Sequence, residues 1–184
     1  TPLYDEIKRC IISEDEIADD ASPALSKIRK SIRGMNDRIH AQLTSIINNS
    51  TTRTYLQDTV ITMRDGRYCL PVKADSKSNV PGMVHDQSST GSTLFIEPMA
   101  VVNLNNELTQ LFIKEQDEIN AVLASLSNEV ALNTDALASD YRILAELDFI
   151  FAKAQLAKSY NGVAPQFNER GYINIKKGRH PLLD

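Results

Sequence analysis

Seven apolar residues, Leu25, Ile28, Ile32, Met35, Ile39, Leu43 and Ile46, recur at steps of three and four along one stretch of the chain. That period belongs to an α-helix burying a single stripe, and a stripe this narrow predicts a coiled-coil-like seam whose partner is another long helix. Ser22 and Pro23 open the stretch. The hydroxyl can cap free backbone N–H groups, and a proline at the first helical position forfeits no hydrogen bond. Asn48, Asn49 and Ser50 close it. Gly34 weakens the helix by about 1 kcal/mol relative to alanine, a tolerable cost if close packing or a slight bend is needed there.

Before this helix, Leu3, Tyr4, Ile7, Ile11 and Ile12 lead into an acidic stretch without obvious periodicity. After it the period falls to two, with β-branched residues and explicit turn signals between Tyr55 and Ala100. Strands are expected over Thr59 to Met63 and Arg67 to Val72, flanking Arg64-Asp65-Gly66, where Asp-Gly is a strong hairpin signal. A polar connection from Asp75 to Pro81 precedes a third strand, Gly82 to Asp86. A turn around Ser88-Ser89-Thr90-Gly91 then leads to a fourth, Thr93 to Glu97. Such a sheet makes a poor core alone, so it must lean on helices or be held at the tip of a helical pair. The helical period returns with Leu104, Leu108, Leu111, Ile119, Val122 and Leu126 around a polar gap at Glu115. Asn133-Thr134-Asp135 offers a break. Leu137, Tyr141, Leu144, Leu147, Phe151 and Ala154 then define a further amphipathic helix ending near Gly162. Gly171 to Ile175 reads as a possible strand.

The expected fold is mainly α with a small antiparallel β insertion. Long heptad-patterned helices form a lever, with the four-stranded sheet at or near its tip. Residues 1–54 are the outgoing part, 55–100 the β insertion, 101–162 the returning helices, and 163–184 the start of a linker.

The net charge of −4 conceals a segregation of sign. Residues 1–21 hold seven acidic and two basic residues, whereas residues 22–49 hold Lys27, Arg29, Lys30, Arg33 and Arg38 against Asp37 alone. Residues 101–160 return to nine acidic against four basic. The basic helix can therefore pair with the acidic returning helices, or it can neutralise phosphates in a salt-dependent way; both readings stay open. In the sheet, Arg53, Arg64, Arg67, Lys73 and Lys77 are balanced by Asp58, Asp65, Asp75, Asp86 and Glu97. Any nucleic-acid contact there needs local placement of Arg64, Arg67, Lys73 and Lys77 on one face.

No catalytic constellation assembles from the sequence. GxxxxGK[ST], GxGxxG after a strand, HExxH and GxSxG are absent, so no catalytic, cofactor-binding or metal-binding residue is assigned. The run Ser88 to Thr93 has the composition of an anion nest but equally of a plain hairpin turn. His85 and Asp86 are adjacent on a strand and so face opposite ways, which argues against a joint acid–base role. His40 reads as a helix-surface residue, and His180 has no ligating neighbours. Cys10 and Cys69 lack metal-ligand spacing and read as buried thiols in a reducing cytoplasm. No apolar run approaches the ~20 residues of a membrane span, and the first residues are no signal peptide.

The run from Arg64 to Lys73, RDGRYCLPVK, followed by Gly82 to Pro98, GMVHDQSSTGSTLFIEP, resembles the signature of the bacterial MutS-II paralogues of the mismatch-repair MutS family. Leu147 to Ala154, LDFIFAKA, and Gly178 to Leu183, GRHPLL, are similar to the same family in the same order. The resemblance implies a core, lever and clamp region that stops just before an ABC-type ATPase domain. It implies a dimeric parent that uses ATP and Mg and usually carries an Smr nuclease-like domain, both beyond this segment. It further implies either contact with branched or duplex DNA in recombination suppression, or contact with ribosomes in collided-ribosome rescue. Of the basic residues, Arg29, Lys30, Arg33 and Arg38 join the four sheet cations as nucleic-acid-binding candidates. A protein-contacting arm and a dimerisation scaffold are the remaining alternatives.

Overall fold

The computed structural model of the chain describes residues 1–178 and His180. Two compact units divide it, Thr1–Asn128 and a second beginning at Glu129.

The first residues are more regular than expected. Leu3, Ile7 and Cys10 fall at helical spacing, and they line α1 (Pro2–Cys10), whose Thr1 hydroxyl accepts from the Tyr4 N–H. A short antiparallel hairpin follows, β1 (Ile11–Ser13) with β2 (Glu16–Ile17). Only two and a half turns carry the α1 period, which is too little repetition to stand out in the sequence.

Ser22 and Pro23 start α2 (Pro23–Asn48) as their chemistry predicts, the Ser22 hydroxyl accepting from the Leu25 N–H at 2.9 Å. Its buried residues are Leu25, Ile32, Met35, Ile39, Leu43 and Ile47, with Ile28 and Ile46 half-buried beside them. The stripe is therefore as read, but its partner is not simply another helix. It packs on Leu70, Val72 and Ile96 of the sheet as well as on Val101 and Leu108 of the returning helix. Gly34 is exposed, and nothing lies within 4 Å of where its Cβ would be, so close packing does not explain it. Asn49 ends α2 and begins α3 (Ser50–Tyr55), its Oδ1 accepting from the N–H groups of Thr51 and Thr52.

The four expected strands form one antiparallel sheet: β3 (Thr62–Arg64), β4 (Arg67–Lys73), β5 (Gly82–Gln87) and β6 (Thr93–Pro98), in the order β3-β4-β6-β5. Asp65 and Gly66 both take positive φ, 49° and 73°, which is the backbone a two-residue hairpin turn of this twist requires. β3 starts later than expected, and the polar connection after β4 winds into a 3₁₀ turn, Ala74–Asn79. Gly82 sits opposite Pro98, and a side chain there would collide with the Glu97 carbonyl oxygen and the Ile96 side chain. A bulge between Val84 and Asp86 inserts His85 as an extra residue in β5.

β6 runs directly into α4 (Met99–Leu132), which buries Val101, Asn105, Leu108, Val122 and Leu126. The first unit thus has two apolar clusters. One joins the later part of α2, the sheet and the start of α4; the other joins Cys10, Ala18, Ala21, Leu25, Val122 and Leu126. Both thiols are buried and unbonded.

In the second unit, α5 (Thr134–Ser159) lies where the sequence places a helix, but it is not simply amphipathic: Phe149, Ile150 and Phe151 are all exposed. Gly171 to Ile175 forms no strand, and Gly171 has φ +70°. Of the terminal GRHPLL run, Arg179 and the residues from Pro181 lie outside the described residues. Among the described residues, no helix is long and apolar enough to cross a membrane.

Candidate nucleic-acid interface

Register decides which cations of the sheet are available. Arg67 begins β4, and 30 residues later Glu97 occupies β6, fully buried. The guanidinium meets the carboxylate with two hydrogen bonds, Nε to Oε2 at 2.8 Å and a terminal nitrogen to Oε1 at 2.7 Å. That same nitrogen donates to Asn106 Oδ1 at 2.8 Å. Asn105 Nδ2 donates to Glu97 at 2.7 Å, and His85 Nε2 lies 2.6 Å from Glu97 Oε2. Because an ionised carboxylate only accepts, His85 Nε2 carries the hydrogen in that contact. Asn105 also bonds the backbone N–H and carbonyl of Tyr68, so β4, β5, β6 and α4 meet at one buried charge.

Burial pushes the Glu97 carboxyl up, but the hydrogen bonds from Arg67, Asn105 and His85 outweigh it and hold the group below the usual carboxylate value. Arg67 is held above its ordinary value, chiefly by its bond to Glu97. Burial, with the nearby Glu97 charge, raises the Cys69 thiol to about 11. The cluster is fully satisfied and has the character of a structural staple.

Arg64 is also engaged. Its guanidinium lies 3.7 Å from the Phe95 ring centroid and its Nε is 2.9 Å from Asp86. His85 and Asp86 serve separate partners, but not by the expected alternation: the bulge breaks it and pairs Asp86 with Phe95, on the same face as Glu97. Lys73 Nζ donates to the Thr54 carbonyl at 2.9 Å, whereas Lys77 is exposed and has no side-chain partner.

On α2 the division is equally clear. Arg29, 18% exposed, bridges Asp19 at 2.6 Å and Glu115 of α4 at 2.7 Å, and Arg33 reaches Asp19 at 3.2 Å. Pairing with both arginines lowers the Asp19 carboxyl. Lys27, Lys30 and Arg38 stand exposed on the face opposite the apolar stripe, without a carboxylate partner among the described residues. His40 is exposed on the same helix, edge-on to Tyr68. The Ser88 to Thr93 run is a hairpin turn whose hydroxyls bond one another, Thr90 Oγ1 to Ser92 Oγ at 2.8 Å.

Sequence reasoning placed Glu97 among balancing charges and missed its cluster with His85, Asn105 and Asn106. The available signal was a carboxylate aligned with Thr93 and Phe95 on one face of a strand, which alone does not reveal the partner.

No family model matches the chain. Endonuclease MutS2 of Agathobacter rectalis is 80% identical over 182 residues, which is 99% of this chain and 23% of that protein. The proteins of the same name from Lachnoclostridium phytofermentans and Lachnospira eligens are 59% and 60% identical, again over at least 99% of this chain and 23% of their own length. The chain belongs to the MutS2 family. It spans about a quarter of the length of the MutS2 relatives it matches. Arg64, Arg67, His85 and Glu97 all lie within the two runs that carried the MutS-II resemblance, so those runs are the residues of the sheet and its buried charge. The described α-helices are entered from Thr1, Ser22, Asn49, Pro98 and Asn133, with no glycine-rich loop before any of them.

Proposed function

We propose that this MutS2 segment is a non-catalytic arm that touches branched or duplex DNA and passes on movement driven by ATP and Mg elsewhere in the polypeptide. The observation that carries the reading is the uneven fate of the cations. Arg29, Arg64 and Arg67 are spent on internal carboxylates, while Lys27, Lys30 and Arg38 on α2 and Lys77 beyond β4 are exposed and unpaired. Unpaired cations along one helix face suit a phosphate backbone, and such binding weakens steeply with salt. Transmission is supported by the bracing of α2 against α4, Arg29 to Glu115 and Ser22 to Glu118 at 2.6 Å, which stiffens the pair into a lever. A cytoplasmic setting suits the unbonded thiols.

Binding of the 184-residue chain to duplex and four-way-junction DNA across a salt series tests this. A Lys27→Ala/Lys30→Ala/Arg38→Ala variant is expected to bind more weakly and with a shallower salt slope, by about 0.9 for each phosphate that is no longer neutralised. Arg67 is left intact in such a set, because its removal strands Glu97. Absence of binding even at low salt overturns DNA contact by this segment.

One observation favours a second reading. Met63 on β3 and Met83 and Val84 on β5 are exposed on the two opposite edge strands, each an edge suited to a protein or ribosomal partner by strand addition. Sedimentation at several concentrations separates both readings from a homodimeric scaffold.

A further inference from the structure

From Glu129 onward no described residue is buried, yet α5 carries Leu137, Ile143, Leu144, Leu147, Phe149 and Phe151 among others. Phe149 and Phe151 are 63% and 62% exposed. At 3.6 residues per turn the large apolar side chains occupy about 260° of the circumference, from Ile150 through Leu147, Leu144 and Tyr141 round to Phe149. Asp135, Arg142, Glu146 and Lys153 share a band of about 40° within the remainder. A helix on the surface of a globular protein needs an apolar stripe little wider than about 100°, and one that is apolar nearly all round belongs inside a larger core. A second copy related by a two-fold axis covers one stripe and leaves most of the sector bare. The relatives, of which this chain spans 23%, carry ample further polypeptide to cover it.

We infer that α5 is an interior helix of the MutS2 polypeptide, enclosed on several sides by the part of that polypeptide that the relatives carry beyond this segment. Asp148 makes the inference chemically specific. It falls near the middle of the apolar sector and of the helix, whereas Asp140 and Lys158 lie nearer the helix ends. A carboxylate enclosed among apolar groups requires a donor, so the covering surface places a cation or an N–H opposite Asp148. The inference rests on the exposed apolar sector of α5 together with family membership, and is independent of the DNA reading.

Hydrogen exchange tests it by comparing the 184-residue chain with full-length Agathobacter rectalis MutS2 in which the matching segment is replaced by this sequence. In the isolated chain the α5 amides are expected to exchange quickly, at a rate unchanged by hundredfold dilution. In the full-length chimera their protection rises at least a hundredfold. Asp148→Leu leaves the melting of the isolated chain unchanged and lowers that of the chimera. If the chimera does not fold, the intact relative against its own 182-residue segment gives the same exchange comparison. Equal exchange in the two contexts overturns the inference. So does protection in the isolated chain that grows with concentration as the solution mass doubles, which assigns the surface to a second copy. An Asp148→Leu chimera that melts at the same or a higher temperature overturns the donor opposite Asp148.

Discussion

α2 and α5 are both 26 residues long, and both follow from the same three-and-four spacing of apolar residues. One buries six side chains and the other none. The difference lies in what the chain offers each of them. The apolar residues of α2 stay in one stripe, and the sheet and α4 that cover the stripe are encoded within the next 80 residues or so. Those of α5 go most of the way round, and among the described residues nothing within its own unit buries them. Periodicity thus reports that a helix forms, while the width of the apolar sector reports how many neighbours it needs.

This contrast can be broken most forcefully at the buried charge. Arg67→Ala leaves Glu97 enclosed with only His85 and Asn105 as partners, and urea unfolding is expected to show a loss of about 3 kcal/mol from the first unit. Arg142→Ala in the charged band of α5 is expected to cost less than about 0.5 kcal/mol. Comparable losses would erase the distinction between the units. Core truncation gives a similar but slightly milder separation: Leu43→Ala removes a fully buried side chain for about 2.5 kcal/mol, whereas Leu144→Ala, already exposed, is expected to change stability by under about 0.5 kcal/mol.

Acidity sharpens the comparison further. Because folding depresses the Glu97 carboxyl below its ordinary value of 4.5, the stability it contributes is present above that value and is lost as pH falls through the folded value. Thermal melts on acidification below about 4.5 are expected to show the first unit weakening. Glu97→Gln flattens this acid limb, and an unchanged acid limb in that variant counts against the assignment. Smallest in size is Gly34→Ala, which meets no neighbour and is expected to stabilise α2 by about 1 kcal/mol.

The elements that were legible in the sequence are those written in local chemistry. Ser22 and Pro23 announced α2, Asp65 and Gly66 announced the β3-β4 turn, and the short run from Arg67 to Val72 that follows this turn signal announced β4. What escaped notice depended on register between distant strands. That Arg67 meets Glu97 follows from β4 pairing with β6 at Leu70 and Ile96, a relation that no local pattern encodes. His85 shares the face of Met83, which pairs with Glu97, but a one-residue bulge brings Asp86 round to Phe95 on that face as well, within reach of Arg64, and inserting one residue is what changes the face a side chain addresses. For the candidate interface the same limit applied. Residue type marked eight cations, but only the fold separates Arg29 and Arg67, tied to carboxylates, from Lys30, Arg38 and Lys77, which face solvent.

The two thiols carry a consequence of their own. Cys10 sits in the cluster of α1 and the start of α2, and Cys69 in the sheet beside Glu97, each almost wholly shielded and each with its thiolate form disfavoured by burial. Alkylation at either sulfur therefore has to wait for its own surroundings to part. Without any added label, the chain holds two chemical stopwatches, one at the end of α1 and one inside the sheet, and the ratio of their rates tells whether those two regions of the first unit open together or one at a time.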